Sequence, residues 1–233
     1  MPWKTASQSL RARLSHIDES PYPKFFYFNS HLNRVVHQHL TLADFLAIPE
    51  SRQGHRLAVF VRNPYDRVFS GFKQLLRDVA SQPAWLNFPN PWIRDLVTQQ
   101  LADNFSLLCK AQFNVNKWFQ QLPKYQLVEA GRDSSLPLYP AHYWTHVQNR
   151  QVADFIGRVE HFENDFEVLC QLFGIENAGN QTLNQSGDVN AELDVQGYRY
   201  IHRLQPQTIT RINEVFSDDF DLLGYKKIQP KIG

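Results

Sequence analysis

Residues 57–61, Leu57-Ala58-Val59-Phe60-Val61, are apolar without alternation. A strand with one face in water alternates polar and apolar residues, whereas a strand covered on both faces does not. The run therefore predicts a central strand of a parallel sheet with helices packed on both faces. The chain turns polar at once with Arg62, and a helix signal follows. Asn63 suits the N-cap, Pro64 the first helical position and Asp66 the third. Val68, Phe72, Leu75, Leu76 and Val79 then form an apolar stripe.

Alternation of strands and helices continues on either side. Residues 9–17 place Leu10, Leu14 and Ile17 at helical spacing, and residues 24–28 read as a short aromatic strand. Residues 42–46 read as a helical turn, residues 95–119 as mostly helix, and residues 152–159 as a further strand. Phe166, Leu169, Cys170 and Phe173 mark a helix that Gly174 can end, and Pro206 opens a last helix with Ile209, Ile212 and Phe216 inward. Residues 81–92 form an irregular excursion, and residues 175–197 a long polar loop. The fold class is α/β, in a single domain covering residues 1–233.

The balance of charge narrows the partners. A formal net charge of +1 over 233 residues excludes a general polyanion binder, so no nucleic acid is expected, yet it leaves room for one anion held locally. Cys109 and Cys170 show no metal-ligand spacing and read as buried free thiols, which points to a reducing, cytoplasmic setting. No apolar run approaches the length of a membrane span.

Two segments suit phosphate. Arg62 stands at a strand end with a planar fork of donors, ahead of a helix start whose unpaired N–H groups and dipole favour an anion. Ser70 lies eight residues on, with its hydroxyl on the same side. The second segment is Lys4-Thr5-Ala6-Ser7-Gln8-Ser9, a lysine with small and hydroxyl-bearing residues entering the first helix, without the glycines of a Walker A loop.

Together these segments resemble the cofactor motifs of sulfotransferases that use 3′-phosphoadenosine-5′-phosphosulfate (PAPS). The segment Lys4 to Leu10 looks like their 5′-phosphosulfate loop. The stretch Val61-Arg62-Asn63-Pro64-Tyr65-Asp66-Arg67-Val68-Phe69-Ser70 is similar to their 3′-phosphate motif. The likeness is nearest to the carbohydrate (Golgi-type, family 2) branch and its bacterial relatives. It extends to Asp154-Phe155-Ile156-Gly157-Arg158-Val159-Glu160 and to the ending Leu222-Leu223-Gly224-Tyr225. The resemblance implies a P-loop-like parallel sheet, PAPS as sulfuryl donor without a metal, and a hydroxyl acceptor, expected to be a carbohydrate. It assigns cofactor binding to Lys4, Thr5, Ala6, Ser7, Gln8, Ser9, Arg62 and Ser70, with Lys4 also acting in catalysis. In the family an apolar strand leads into the 5′ loop, whereas here only Met1, Pro2 and Trp3 precede Lys4. The first strand is therefore expected to be truncated and the natural product to begin earlier. Trp3 also separates Pro2 from Lys4, which relatives commonly keep adjacent.

Sulfuryl transfer needs a base for the acceptor hydroxyl, and histidine suits neutral pH. His39, followed by Leu40-Thr41, best matches the histidine that related enzymes carry ahead of the 3′ motif. His37 ranks second and His31 third, and Asp44 is the carboxylate competitor. His142 and His146 stand four apart but have no evident third ligand, so they read as surface or acceptor-site residues. Trp85 and Trp92 can stack on a sugar or fill the excursion. Arg67, Lys73 and Arg77 read as a solvated helix face, and Arg158 and Glu160, at a strand end, either approach the nucleotide or pair with each other. The competing class is a non-catalytic nucleotide-binding protein or pseudoenzyme of the same fold. A P-loop kinase is disfavoured without Walker A or a magnesium-binding acidic motif.

Overall fold

The computed structural model describes residues 2, 4–18, 27–36, 39–49, 51, 54–81, 90–128, 138–177 and 197–230. In chain order it forms α1 (Ser7–Arg13), β1 (Tyr27–Asn29), β2 (Arg34–Val36), α2 (Leu42–Ala47), β3 (Ala58–Val61), α3 (Pro64–Ser81), α4 (Pro91–Lys110), α5 (Val115–Gln121) and α6 (Lys124–Val128). There follow β4 (His146–Val147), β5 (Arg150–Gln151), β6 (Phe155–Arg158), α7 (Phe162–Phe173), α8 (Pro206–Val215) and α9 (Ser217–Leu223).

The doubly apolar run is β3, which pairs in parallel with β6, Val59 opposite Ile156 and Val61 opposite Arg158. Alternation along β3 divides the interior in two. Val59 and Val61 join the large core built with α3, α5, α8 and α9, through Val68, Phe72, Trp118, Ile212 and Phe220. Phe60 enters a smaller core with Leu10 of α1 and Phe166, Leu169 and Cys170 of α7. Burial on both faces explains why this strand carries no polar position. Its partner has Gly157 opposite Phe60, and a Cβ there would meet the Phe60 ring at 2.6 Å.

α3 begins as its cap predicts: Asn63 Oδ1 accepts from Asp66 N at 2.8 Å, and Arg67 N donates to Asn63 O at 3.0 Å. Other elements depart from expectation. The helix expected over residues 95–119 is interrupted between α4 and α5, where Gln112 and Phe113 take positive φ and Asn114 caps the new helix through Asn116 N and Lys117 N. The strand expected over residues 152–159 is confined to β6, because β4 and β5 close a hairpin just before it, with Gln148 and Asn149 both left-handed in the turn. β1 pairs antiparallel with β2 rather than joining the parallel strands, and Lys24 to Phe26 lie outside the described residues. α9 extends the chain beyond the last expected helix, ending at Gly224 with φ 69°. Cys170 is buried as expected, but Cys109 sits on the exposed side of α4. No helix among the described residues is long and apolar enough to cross a membrane.

Candidate functional site

The carboxyl ends of β3 and β6 come together at the start of α3. Glu160, just past β6, accepts from Asn63 N and from Asn63 Nδ2, both at 2.8 Å. Asp66 accepts from Asn63 Nδ2 at 3.0 Å and from the backbone N–H of Arg199 and Tyr200 at 3.1 and 2.9 Å. This changes the sequence reading of the helix start. The N–H groups of Asn63 and Asp66 are taken by side chains, and two carboxylates already occupy the positive end of the dipole. Two of the N–H groups expected to receive an anion are therefore already engaged.

Cationic and polar side chains lie along the next turns of α3. Arg62 is largely covered, and its guanidinium stands 3.9 Å from Asp66. Ser70 is buried, and Lys73, Gln74 and Arg77 share its helical face. Lys4 reaches this face from the far end of the sequence, its Nζ donating to Gln74 Oε1 at 3.2 Å. Arg77 Nη2 approaches the same oxygen at 3.4 Å, while Gln74 Nε2 donates to Asp78 at 2.6 Å. Burial lowers the Lys4 pKa to about 8, with Arg77, Arg62 and Lys73 pushing the same way and Asp78 opposing. Burial also raises the Asp78 carboxyl. Lys4, Arg62 and Ser70, three of the expected site residues, are thus drawn to one helix.

The loop from Lys4 into α1 has a geometry that its sequence does not announce. Lys4 and Ala6 take φ of 66° and 60°, a left-handed conformation that costs a residue with a Cβ about 1 kcal/mol or more. Ala6, with φ 60° and ψ 27°, is the left-handed N-cap of α1. Thr5 is fully buried and donates its hydroxyl to Pro2 O at 2.8 Å, so this group faces inward. Ser7 is half-buried, Gln8 exposed and Ser9 buried, all on α1.

His39 is buried two residues ahead of Thr41, which forms a capping box with Asp44 at the start of α2. Asp44 is further held by Arg34 at 2.7 Å, so its carboxylate is already committed. α2 packs chiefly on the turn Ala141–Trp144 and on β4, rather than on α3. His31 is exposed, and His37 lies outside the described residues. The turn beside α2 carries His142, whose Nδ1 is 2.9 Å from the buried carboxylate of Asp219. His146 Nδ1 faces the Thr145 hydroxyl at 2.7 Å, and burial lowers its pKa. Among the described residues no three His, Cys, Asp or Glu side chains converge as metal ligands.

Two other expectations change. Arg67 is not on a solvated face: it is fully buried, donates to Tyr139 O at 2.6 Å and lies 3.7 Å from Asp219. Arg158 and Glu160 serve different partners, Arg158 donating to Leu223 O at 2.8 Å and Glu160 receiving Asn63 and the Tyr225 hydroxyl. Trp92 is half-exposed in edge contact with Phe28, ring centres 6.1 Å apart, and Trp85 lies outside the described residues. Sequence reasoning missed Gln74, Asp66 and Tyr200 as organising residues. Gln74 was accessible from its position one turn beyond Ser70, whereas nothing local marks Tyr200.

A family model described as "Sulfotransferase family" matches residues 4–226, nearly the full length, and the chain belongs to that family. No curated protein and no solved structure matches it.

Proposed function

From this membership of the sulfotransferase family, we propose that the chain transfers the sulfuryl group of PAPS to a hydroxyl, with a carbohydrate as the acceptor. The observation that carries the reading is the convergence of Lys4 on the α3 face that holds Ser70 and Gln74, within range of the charges of Arg62, Lys73 and Arg77. A ligand with phosphate groups at both ends of a nucleoside is what such a spread of cations accommodates. Arg62 and Ser70 take the 3′-phosphate. Lys4 and the loop of residues 4–6, continuing through Ser7, Gln8 and Ser9, take the 5′-phosphosulfate.

In the reaction the acceptor oxygen attacks sulfur in line, and the bond from sulfur to the 5′-phosphate oxygen breaks. Its electron pair stays on 3′-phosphoadenosine-5′-phosphate (PAP), where Lys4 offsets the developing charge. His39 takes the proton of the acceptor hydroxyl. A carbohydrate acceptor is favoured by the family-2 likeness and suits the half-exposed ring pair of Phe28 and Trp92.

The test is a thermal-shift titration paired with turnover. PAP is expected to raise the melting temperature and ATP with magnesium to leave it unchanged. Arg62→Ala is expected to abolish the PAP shift. Equal stabilisation by both nucleotides, or by neither, overturns the PAPS reading. Binding of PAP with no transfer to any acceptor favours a nucleotide-binding protein instead.

A further inference from the structure

Asp66 receives two backbone N–H groups from outside its helix, those of Arg199 and Tyr200. The hydrogen bond to Tyr200 ties its backbone to the first turn of α3, while its ring stacks on Phe69 with centres 4.5 Å apart and planes at 22°. Tyr200 as a whole is 4% exposed, so it offers little open surface to a ligand base. Its remaining environment is cationic. The Arg62 guanidinium lies 6.0 Å from the ring centre, and Lys73 Nζ lies 5.8 Å from it.

Two cations directed at one ring repel each other, and the negative quadrupole of an aromatic face lowers the cost of holding them together. Asp66 balances Arg62 only in part, at 3.9 Å and with its oxygens shared among backbone donors. We propose that Tyr200 is a positioning residue that holds Arg62 and Lys73 side by side and thereby sets the preference for a nucleotide bearing a 3′-phosphate. Lys73 is then a second cation for that phosphate. The inference rests on the reading of Arg62 as the 3′-phosphate ligand.

The experiment is the ratio of affinities for PAP and for adenosine 5′-monophosphate, which lacks the 3′-phosphate, measured calorimetrically on the full chain. Tyr200→Leu keeps an apolar side chain against Phe69 but removes the π face. It is expected to lower the ratio about five- to thirtyfold, as two cation–π contacts imply. Tyr200→Phe should restore the wild-type ratio, and Lys73→Met, at a partly exposed position, should lower it without unfolding the protein. Loss of general packing would weaken both nucleotides alike and leave the ratio intact. A wild type without preference for PAP overturns the Arg62 reading itself. A wild-type preference that persists in Tyr200→Leu or in Lys73→Met overturns this inference alone, and Lys73→Met decides the matter if Tyr200→Leu does not fold.

Discussion

Lys4 Nζ donates to Gln74 Oε1 at 3.2 Å, and this one bond joins the loop before the first helix to the helix that carries Arg62 and Ser70. This contact brings together the two segments expected to bind phosphate. The amide is a neutral acceptor for a lysine already crowded by cations. It holds the ammonium in place without neutralising it.

The first prediction concerns pH. In the empty site the Lys4 pKa is lowered to about 8, by burial first and then by Arg77, Arg62 and Lys73. A bound phosphate favours the charged form, so PAP binding takes up a proton wherever Lys4 was neutral. PAP affinity is expected to fall as pH rises from about 8, by up to about tenfold per pH unit, until the pH passes the raised Lys4 pKa of the complex. The phosphates of PAP are fully ionised throughout that range. Lys4→Arg stays charged and should flatten the profile. In the empty protein the same depression makes stability rise with pH between about 8 and the ordinary value, since there the unfolded chain binds the extra proton. Calorimetry in buffers of different ionisation enthalpy measures the proton uptake, and an affinity constant from pH 7.5 to 9.5 would remove Lys4 from the anion site.

A second prediction addresses the buried charges behind α3. Asp219 accepts from Ala141 N at 2.7 Å, from His142 N at 2.8 Å and pairs with Arg67, while Arg67 Nε and Nη1 have no hydrogen-bond partner. Asp219→Asn strands a fully buried guanidinium and is expected to cost about 3–5 kcal/mol in urea unfolding. Arg67→Met removes the orphaned donors together with the charge and leaves Asp219 its amide partners, so it should cost clearly less. Equal costs would show that the pair acts only by packing.

What the sequence disclosed follows the reach of each interaction. The start of α3 was legible because Asn63, Pro64 and Asp66 act on backbone within one turn. The two-sided burial of β3 was legible because it leaves no polar residue. Arg67 was misread as solvated because its partner, Asp219, lies on α9 and only the fold brings it near. The strained loop at Lys4 and Ala6 carries no glycine to announce positive φ. The second duty of Asp66, holding Arg199 and Tyr200, depends on residues 133 and 134 positions away that only the fold brings near. Local chemistry thus gave the motif, and long-range contacts organise it.

A third prediction tests the close approach inside the parallel pair. A Cβ at position 157 would meet three Phe60 ring atoms at 2.6–2.9 Å, and the ring is confined by Phe155 and Phe162 at 5.9 and 5.1 Å. Gly157→Ala is expected to destabilise by about 1–3 kcal/mol through overpacking. Phe60→Leu should itself destabilise, yet the double variant should lose less than the sum of the two, because the smaller side chain makes room for the methyl. Additive losses in denaturant titrations would count against the clash.

The last prediction separates binding from chemistry. His39 is buried at the entry to α2, whereas Lys4 and Arg62 act on α3, so replacing the histidine should leave the nucleotide site intact. His39→Ala is expected to keep the PAP thermal shift and to lower kcat by about 10²–10⁴, the usual contribution of a general base. The assay is transfer of label from radiolabelled PAPS to an acceptor found by screening. His31→Ala, at an exposed loop position, should change neither quantity. His142 provides the critical comparison, because Asp219 at its Nδ1 orients the imidazole as carboxylates orient catalytic histidines elsewhere. Full turnover in His39→Ala together with its loss in His142→Gln would move the base to the turn beside α2. Loss confined to His39→Ala, with the acidic limb of the pH–rate profile abolished, fixes the proton acceptor at His39.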